Sequence, residues 1–165
     1  MSRAFIKEDA GDPDDVPDRH QSASPNYVTP QGLSALRQKA AELRSRLVPL
    51  AEDGREAREI KRDLRYYEGR VASAILVDPK SGPADEVRFG AVVELHGGGD
   101  RTRRVAIVGQ DEAEDVPDRI AWDSALALAL MGAKKGDSIE TEESGTMIVA
   151  SIRYPGRCLP TGHPG

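Results

Sequence analysis

The sequence is poor in the residues that build metal centres and disulfide frameworks. Its 165 residues include one cysteine, Cys158, and three histidines that lie far apart, His20, His96 and His163. A single cysteine can form neither an internal disulfide nor a multi-cysteine zinc site. We therefore expect a protein of the reducing cytoplasm that binds no cofactor and no structural metal of its own.

Aromatic residues, long apolar runs and excess positive charge are also scarce. Aromatics make up only 4% of the chain, which is low for a protein that reads bases by stacking. The net charge of -5 disfavours tight non-specific binding to duplex DNA. No apolar run is long enough to span a membrane, so we expect no membrane partner. We also expect the protein to be a monomer.

Catalytic motifs are absent as well. The run Gly97-Gly98-Gly99 lies between two predicted strands and lacks the lysine and hydroxyl of a phosphate-binding loop. No serine, histidine and acid are spaced in a way that suggests nucleophilic catalysis. The sequence thus predicts a binding protein without catalytic residues, not an enzyme.

A heptad pattern predicts a helical hairpin. Thr29 supplies a capping hydroxyl and Pro30 a helix-compatible first residue. Apolar residues then recur in steps of three and four on both sides of Asp53-Gly54, and the numbers of facing residues always add to 107. This mirror symmetry predicts an antiparallel coiled coil whose tip is at Asp53–Gly54. The facing pairs are Leu50 with Ala57, Leu47 with Ile60, Leu43 with Leu64, Ala40 with Tyr67, Leu36 with Val71, and Leu33 with Ala74.

The predicted arms have about 22–24 residues, which corresponds to about 33–36 Å. Pro49 falls inside the first arm and should kink its last turn. Residues 33–75 carry 10 basic and 7 acidic groups, whereas the segments on either side are acidic. This basic middle indicates either a partner of its own or a solvated helical face. A basic arm follows the tip at Arg55, Arg58, Lys61, Arg62 and Arg65.

The rest of the chain alternates in the manner of β-strands. The predicted fold class is α+β, an N-terminal antiparallel coiled coil followed by a small antiparallel β-sheet domain with one short helix. The predicted strands cover 87–96, 103–109, 119–122, 138–143 and 146–154, with a helix over 125–131. The predicted organisation is a disordered extension over 1–26, the coiled coil over 27–77, a linker over 78–86, the β-domain over 87–154 and a disordered tail over 155–165.

Several short motifs in the same order resemble the bacterial GreA/GreB transcription elongation factors. They include Tyr27-Val-Thr-Pro-Gln-Gly-Leu33, Ile75-Leu-Val-Asp-Pro79, Val87-Arg-Phe-Gly-Ala-Val-Val-Glu-Leu95, Ile107-Val-Gly-Gln-Asp-Glu112 and Ile120-Ala-Trp-Asp-Ser124. The resemblance implies a C-terminal domain similar to the FK506-binding prolyl isomerases. It also implies a factor that grips the rim of the RNA polymerase secondary channel and inserts its coiled coil there, with any nucleic-acid contact indirect. The basic arm on the second helix is then expected to face the acidic wall of that channel. The implied polymerase-binding residues are Ile120, Trp122, Asp123, Ser124 and Leu126.

The resemblance also implies that acids at the tip, here Asp53 and Glu56, reach the polymerase's catalytic magnesium. The tip departs from the family pattern, because Glu52-Asp-Gly-Arg-Glu-Ala57 keeps only the Asp-x-x-Glu spacing. About ten residues are missing from each arm, or about 15 Å of reach. Such short arms resemble the Rnk-like regulators. Ala125 replaces the usual proline after Ser124, which affects the rim contact.

Three functions remain open at this point. The preferred one is an elongation regulator that binds the secondary channel without strong transcript cleavage, because positioning for metal chemistry tolerates little error. The alternative is an active cleavage factor that rescues backtracked polymerase through Asp53 and Glu56. A prolyl isomerase, suggested by fold analogy alone, is disfavoured because the β-domain offers few aromatic residues for a pocket, namely Phe89, Trp122 and Tyr154.

Overall fold

The protein begins with a helical hairpin. A computed structural model describes residues 16–50 and 54–156. Helix α1 covers Pro30–Leu47, and the Thr29 hydroxyl caps it by accepting a hydrogen bond from the Gly32 amide at 3.0 Å. Helix α2 covers Arg55–Ala72, and Gly54 is its N-cap in an extended conformation. The predicted capping residue and the break in the helix before Arg55 are therefore confirmed.

The two helices pack along the predicted seam. All twelve seam residues are buried or half-buried, and Leu36, Leu43 and Ile60 are 3–4% exposed. Two cross-helix ion pairs lie on either side of the seam: Arg44 with Glu68 at 2.5 Å and Arg46 with Glu56 at 3.9 Å. The later α1 residue, Arg46, pairs with the earlier α2 residue, Glu56, and this is the order that an antiparallel register requires.

The arms are shorter than the prediction. Both α1 and α2 contain 18 residues, which gives each a length of about 27 Å. Pro49 does not lie inside the first helix, because α1 ends at Leu47 and Pro49 is exposed in the following turn. Proline has no amide hydrogen to donate, and its ring clashes with the carbonyl four residues earlier, so the helix ends instead of kinking.

A short parallel pair of strands closes the base of the hairpin. Strand β1, Tyr27–Val28, precedes α1 and pairs with β2, Ile75–Leu76, which follows α2. The Ile75 amide donates to the Asn26 carbonyl at 2.8 Å, and the Val77 amide donates to the Val28 carbonyl at 3.0 Å. The two chain ends of the hairpin are therefore joined by backbone hydrogen bonds at its base.

The C-terminal domain is a five-stranded sheet in the order β5-β4-β3-β7-β6. Its strand pairs are antiparallel except β4 with β5, so the sheet is mixed and the prediction of a purely antiparallel sheet is wrong at that edge. The intervening segment allows the parallel crossover because it contains a helical turn. The strands are β3 Val92–Gly97, β4 Thr102–Val108, β5 Arg119–Ala121, β6 Ser138–Thr141 and β7 Gly145–Arg153.

The first predicted strand begins later than its alternating pattern suggests. Residues 87–91 lie outside the strand, with a turn at residues 89–90, and β3 starts only at Val92. Gly90 has a positive φ of 84°, and a Cβ at this position would lie 2.7 Å from the Pro79 side chain. Val87 and Ala91 are therefore buried on either side of a turn and not along a continuous strand.

Two short helices complete the domain. Helix α3, Gln110–Ala113, follows β4 and was not predicted. Helix α4, Ala125–Leu130, agrees with the prediction, because the Ser124 hydroxyl caps it and Gly132 follows with a φ of 80°. Among the described helices, none combines the length and apolar character needed to cross a membrane.

The core lies between the sheet and α4. Tyr154 closes one end of this core, and its hydroxyl donates to the Glu86 carbonyl at 2.6 Å and accepts from the Arg88 amide at 3.0 Å. The buried residues of the core are Val87, Ala91, Val93, Leu95, Val105, Ile107, Ala127, Leu130, Ile139, Met147, Val149 and Tyr154.

The predicted flanking segments fall partly within the described residues. Residues 16–26 of the expected disordered extension lie along α2 and hydrogen-bond to it. Within the expected linker over 78–86, Pro79 is buried, and the carbonyls of residues 81 and 83 accept hydrogen bonds from the Arg88 guanidinium. Residues 1–15 and 157–165 lie outside the described residues.

Candidate functional site

The coiled coil and the β-domain meet at a polar junction centred on α3. The Asp111 carboxylate accepts hydrogen bonds from the Tyr66 hydroxyl and from Arg70 Nε, each at 2.7 Å. The Arg70 side chain is 3% exposed and that of Asp111 is 10% exposed. Each ion of this buried pair depends on the other, because removing one would leave an uncompensated charge in the interior at a high cost in folding free energy.

This junction changes the acidity of a tyrosine. Burial and, after it, the hydrogen bond to Asp111 together raise the pKa of Tyr66 to about 12. A phenolate beside the Asp111 carboxylate would be desolvated and repelled. The protonated hydroxyl therefore remains the donor to Asp111 across the neutral range.

Glu112 connects the β-domain to the start of α1. Its carboxylate accepts from the Thr29 hydroxyl at 2.5 Å, and from the amides of Thr29 and Gly109, each at 3.2 Å. A Cβ on Gly32 would lie only 2.2 Å from the Glu112 side chain. An acid at the positive end of a helix is electrostatically favourable, so Glu112 supplements the cap that Thr29 provides.

Gln110 links the same junction to the predicted polymerase-binding segment. Its side-chain oxygen accepts from Arg70 at 3.3 Å, and its side-chain nitrogen donates to the Asp123 carboxylate at 2.5 Å. Asp123 is half-buried at the start of the turn that leads into α4. The position of Asp123 is therefore coupled to the base of the coiled coil through one glutamine.

The five predicted polymerase-binding residues lie together on β5, α4 and the turn between them. Ile120, Trp122 and Leu126 are partly buried and pack against the core. The Trp122 ring packs edge-to-face on Tyr27 with centroids 5.0 Å apart. Asp123 and Ser124 are half-buried, and Ser124 caps α4. The side chains of Trp122 and Ser124 thus shape the segment, while Asp123 is held at its surface.

An exposed apolar side chain extends this segment. Leu128 lies one helical turn after Ser124 and is 57% exposed. Ala125 and Ala129, on the same side of α4, are also exposed. The outer face of α4 is therefore apolar and formed mainly by small side chains. The sequence did not indicate this face, because the Ala-Leu alternation repeats every two residues and not with the helical period.

The predicted basic arm lies along α2, and much of its charge is paired. Arg55 binds Glu59 at 3.1 Å, and Arg62 binds the adjacent Asp63 at 2.8 Å. Arg65 binds Asp18 of the N-terminal segment at 2.6 Å. Arg58 and Lys61 are half-buried on the same helix. The structure brings the five cations onto one helix, with acidic partners interspersed.

The two predicted tip acids have different outcomes. Asp53 lies outside the described residues. Glu56 is exposed in the first turn of α2 and faces Arg46 of the other arm. Across residues 16–50 and 54–156, no three histidine, cysteine or acidic side chains cluster closely enough to hold a metal ion.

The junction residues were not assigned a role from the sequence. Gln110, Asp111 and Glu112 fall within a motif that carried the family resemblance, but their spacing gave no periodic signal. Tyr66 and Arg70 lie off the heptad seam on α2, where solvent exposure is the usual expectation. A large tyrosine and an arginine near the helix end, both outside the seam, are the sequence signal that could have indicated a second packed face on α2.

Comparison with known proteins places these features in a family. The family described as "Transcription elongation factor, GreA/GreB, C-term" matches residues 82–154. A transcription elongation factor GreB of Neisseria meningitidis serogroup A is 36% identical over 153 residues, covering 78% of this chain and 94% of the relative. A transcription elongation factor GreA of Zymomonas mobilis is 42% identical over 73 residues, covering 44% of this chain and 46% of the relative.

A solved structure of a GreA/GreB factor from Nitrosomonas europaea is 16% identical, with a TM-score of 0.40 over 78% of this chain and 99% of the other. The match to the Neisseria protein spans 153 positions but uses about 129 residues of this chain, so about 24 positions have no counterpart here. The identity and coverage of that match extend well beyond the C-terminal domain. The chain therefore belongs to the GreA/GreB family of transcription elongation factors.

Proposed function

We propose that this protein regulates transcription elongation by binding RNA polymerase at its secondary channel, without strong stimulation of transcript cleavage. In this proposal the β-domain contacts the channel rim and the hairpin enters the channel. The observation that carries the proposal is the length of the hairpin, whose arms are about 27 Å each.

The reach of the tip supports regulation over cleavage. The relative from Neisseria has about 24 positions that this chain lacks. We assign them to the hairpin, where about 12 fewer residues in each arm shorten the reach by about 18 Å. Metal-assisted chemistry requires its groups to be placed within about an ångström. A tip that stops this far short is expected to occupy the channel without completing the metal site.

The decisive experiment is transcript cleavage in a backtracked elongation complex, with binding to the polymerase measured in parallel. We expect saturable binding with cleavage close to the intrinsic rate of the polymerase. Strong cleavage that is lost in an Asp53→Asn, Glu56→Gln double variant would establish the cleavage factor instead. Absence of binding would contradict both functions.

The rim contact is tested on the outer face of α4. Leu128→Asp places a charge on the exposed apolar side chain beside Ser124, and we expect it to weaken polymerase binding at least about tenfold if it removes an interface anchor. Ile148→Asp is the matched control, because Ile148 is similarly exposed at 48% but lies on β7. Equal effects of the two variants would argue against α4 as the rim-binding surface.

A further inference from the structure

Residues 16–26 form a segment that lies along α2 and reaches the β-domain. The Arg19 guanidinium lies over the Tyr66 ring at 4.1 Å and approaches Glu114 of the β-domain at 3.7 Å. The Ser22 hydroxyl accepts from the Gln110 side chain at 3.1 Å. The Asn26 amide donates to the Arg70 carbonyl at 2.7 Å. The segment therefore contacts both domains.

The segment runs parallel to α2. Asp18 lies beside Arg65, Gln21 packs against Gly69, and Asn26 bonds Arg70 and Ser73. The partners on α2 thus advance towards the base as the segment advances. Asp18 and Arg19 lie nearer the tip than Asn26 does, and Asp18 reaches the end of the basic arm at Arg65.

These contacts overlap both surfaces assigned to polymerase. Asp18 neutralises Arg65, which belongs to the basic arm. Ser22 shares the Gln110 side-chain nitrogen with Asp123, which belongs to the rim segment. A partner that used Arg65 and Asp123 together would have to displace or rearrange residues 18–22.

Charge favours this placement of the segment. The sequence before Asp18 carries five acidic residues within 8–15 against two basic residues within 1–7. Residues 16–26 lie along α2, the helix that carries the basic arm. Opposite charges on one chain interact at high effective concentration, so even weak exposed pairs can hold a segment in place.

We propose that the N-terminal segment is an intramolecular competitor that covers part of the polymerase-binding surface, and that polymerase must displace it. This inference rests on the proposed function. The apparent affinity for polymerase is then the intrinsic affinity reduced by the fraction of molecules in which the surface is uncovered. Weakening the segment's contacts should raise affinity, although it adds no contact to the polymerase.

The test compares Arg19→Ala with Arg101→Ala, using the full chain and RNA polymerase core enzyme. Both variants remove one positive charge, but Arg101 lies in the exposed turn between β3 and β4. Loss of positive charge alone should leave binding to an acidic channel unchanged or weaker. We expect Arg19→Ala to bind about 3- to 10-fold more tightly than wild type, and Arg101→Ala to bind no more tightly.

A second pair removes negative charge instead. Asp18→Asn frees Arg65, whereas Glu142→Gln makes the same charge change in the exposed turn between β6 and β7. We expect tighter binding for Asp18→Asn only, with the gain shrinking as salt rises. Circular dichroism and thermal unfolding identify any variant that fails to fold.

The outcomes separate the two proposals. If wild type does not bind polymerase, the proposed function fails. If wild type binds but Arg19→Ala and Asp18→Asn bind equally or more weakly, the proposed function stands and the competing segment is overturned. Tighter binding of both, with unchanged controls, supports the competitor.

Discussion

The base and the tip of the hairpin differ in how they are held. At the base, β1 and β2 pair, Glu112 binds the start of α1, and the buried pair of Arg70 and Asp111 joins α2 to α3. Towards the tip, the cross-helix ion pair of Arg46 with Glu56 is exposed and 3.9 Å long. The hairpin is anchored at one end and projects from the other.

This contrast indicates a division of roles between the two ends. A buried network has few alternative arrangements, so it sets the direction in which the hairpin leaves the β-domain. The described residues next to the tip, such as Pro49 and Glu56, are exposed and contribute little to folding. Four predictions test the contrast, through stability losses that should fall from the base to the surface.

The largest loss should come from the junction. Asp111→Ala leaves the buried Arg70 charge without its partner and should lower the free energy of unfolding by about 3–5 kcal/mol. Glu56→Ala, the equivalent removal of an acid near the tip, should cost less than about 0.5 kcal/mol. Urea unfolding monitored by circular dichroism measures both. Similar losses for the two variants would erase the distinction between base and tip.

The next largest loss should come from the seam. Leu43 is 3% exposed, and Leu43→Ala should cost about 2–5 kcal/mol through lost burial and a cavity. Leu47 is half-buried in the last turn of α1, so Leu47→Ala should lower the free energy of unfolding clearly less than Leu43→Ala does. Thermal unfolding of the two variants gives the ranking. A larger loss for Leu47→Ala would mean that packing strengthens towards the tip.

Tyr66 should show a pH-dependent contribution. Because its pKa is raised to about 12 in the folded protein, against an ordinary value of 10.0, its contribution is complete below pH 10 and is lost as the pH rises towards 12. Tyr66→Phe should cost about 1.5–3 kcal/mol near neutral pH, because it removes a hydrogen bond to a carboxylate.

The difference in tyrosinate absorbance between wild type and Tyr66→Phe should titrate near pH 12. A midpoint near 10 would show that Tyr66 is exposed to solvent and that the junction is open in solution.

The smallest effect should come from the exposed pair of Arg44 and Glu68. Their side chains are 60% and 47% exposed, so a double-mutant cycle to alanine should give a coupling of about 0.2–1 kcal/mol. The coupling should fall in high salt. A coupling above about 2 kcal/mol would place this pair among the anchors of the hairpin.

Periodicity predicted the hairpin well because its seam is a local, repeated pattern. Thr29, the facing of Leu43 with its partner arm and the helix break at Gly54 all follow from residue spacing. The helix end was predicted less well, since Pro49 was assigned to the interior when its missing amide hydrogen ends α1 at Leu47. Local chemistry there prevailed over the continuation of the heptads.

The junction could not be predicted from periodicity, because its contacts join residues more than 40 positions apart. Asp111 and Glu112 are ordinary acids until the fold places Arg70 and Thr29 beside them. The parallel pairing of β5 with β4 was missed for a related reason: a three-residue strand carries too little pattern to fix its direction. The predicted rim and tip residues remain predictions for the binding and cleavage assays.

The mirror symmetry of the seam limits how the length of this hairpin can change without breaking its packing. An insertion or deletion in one arm alone would shift every facing pair beyond it, whereas a matched change of one heptad in both arms preserves all of them. Each such step moves the tip by about 10.5 Å. Hairpin reach can therefore vary only in discrete increments while the anchored base stays unchanged, and a variant lengthened by whole heptads would isolate reach from every other property of the protein.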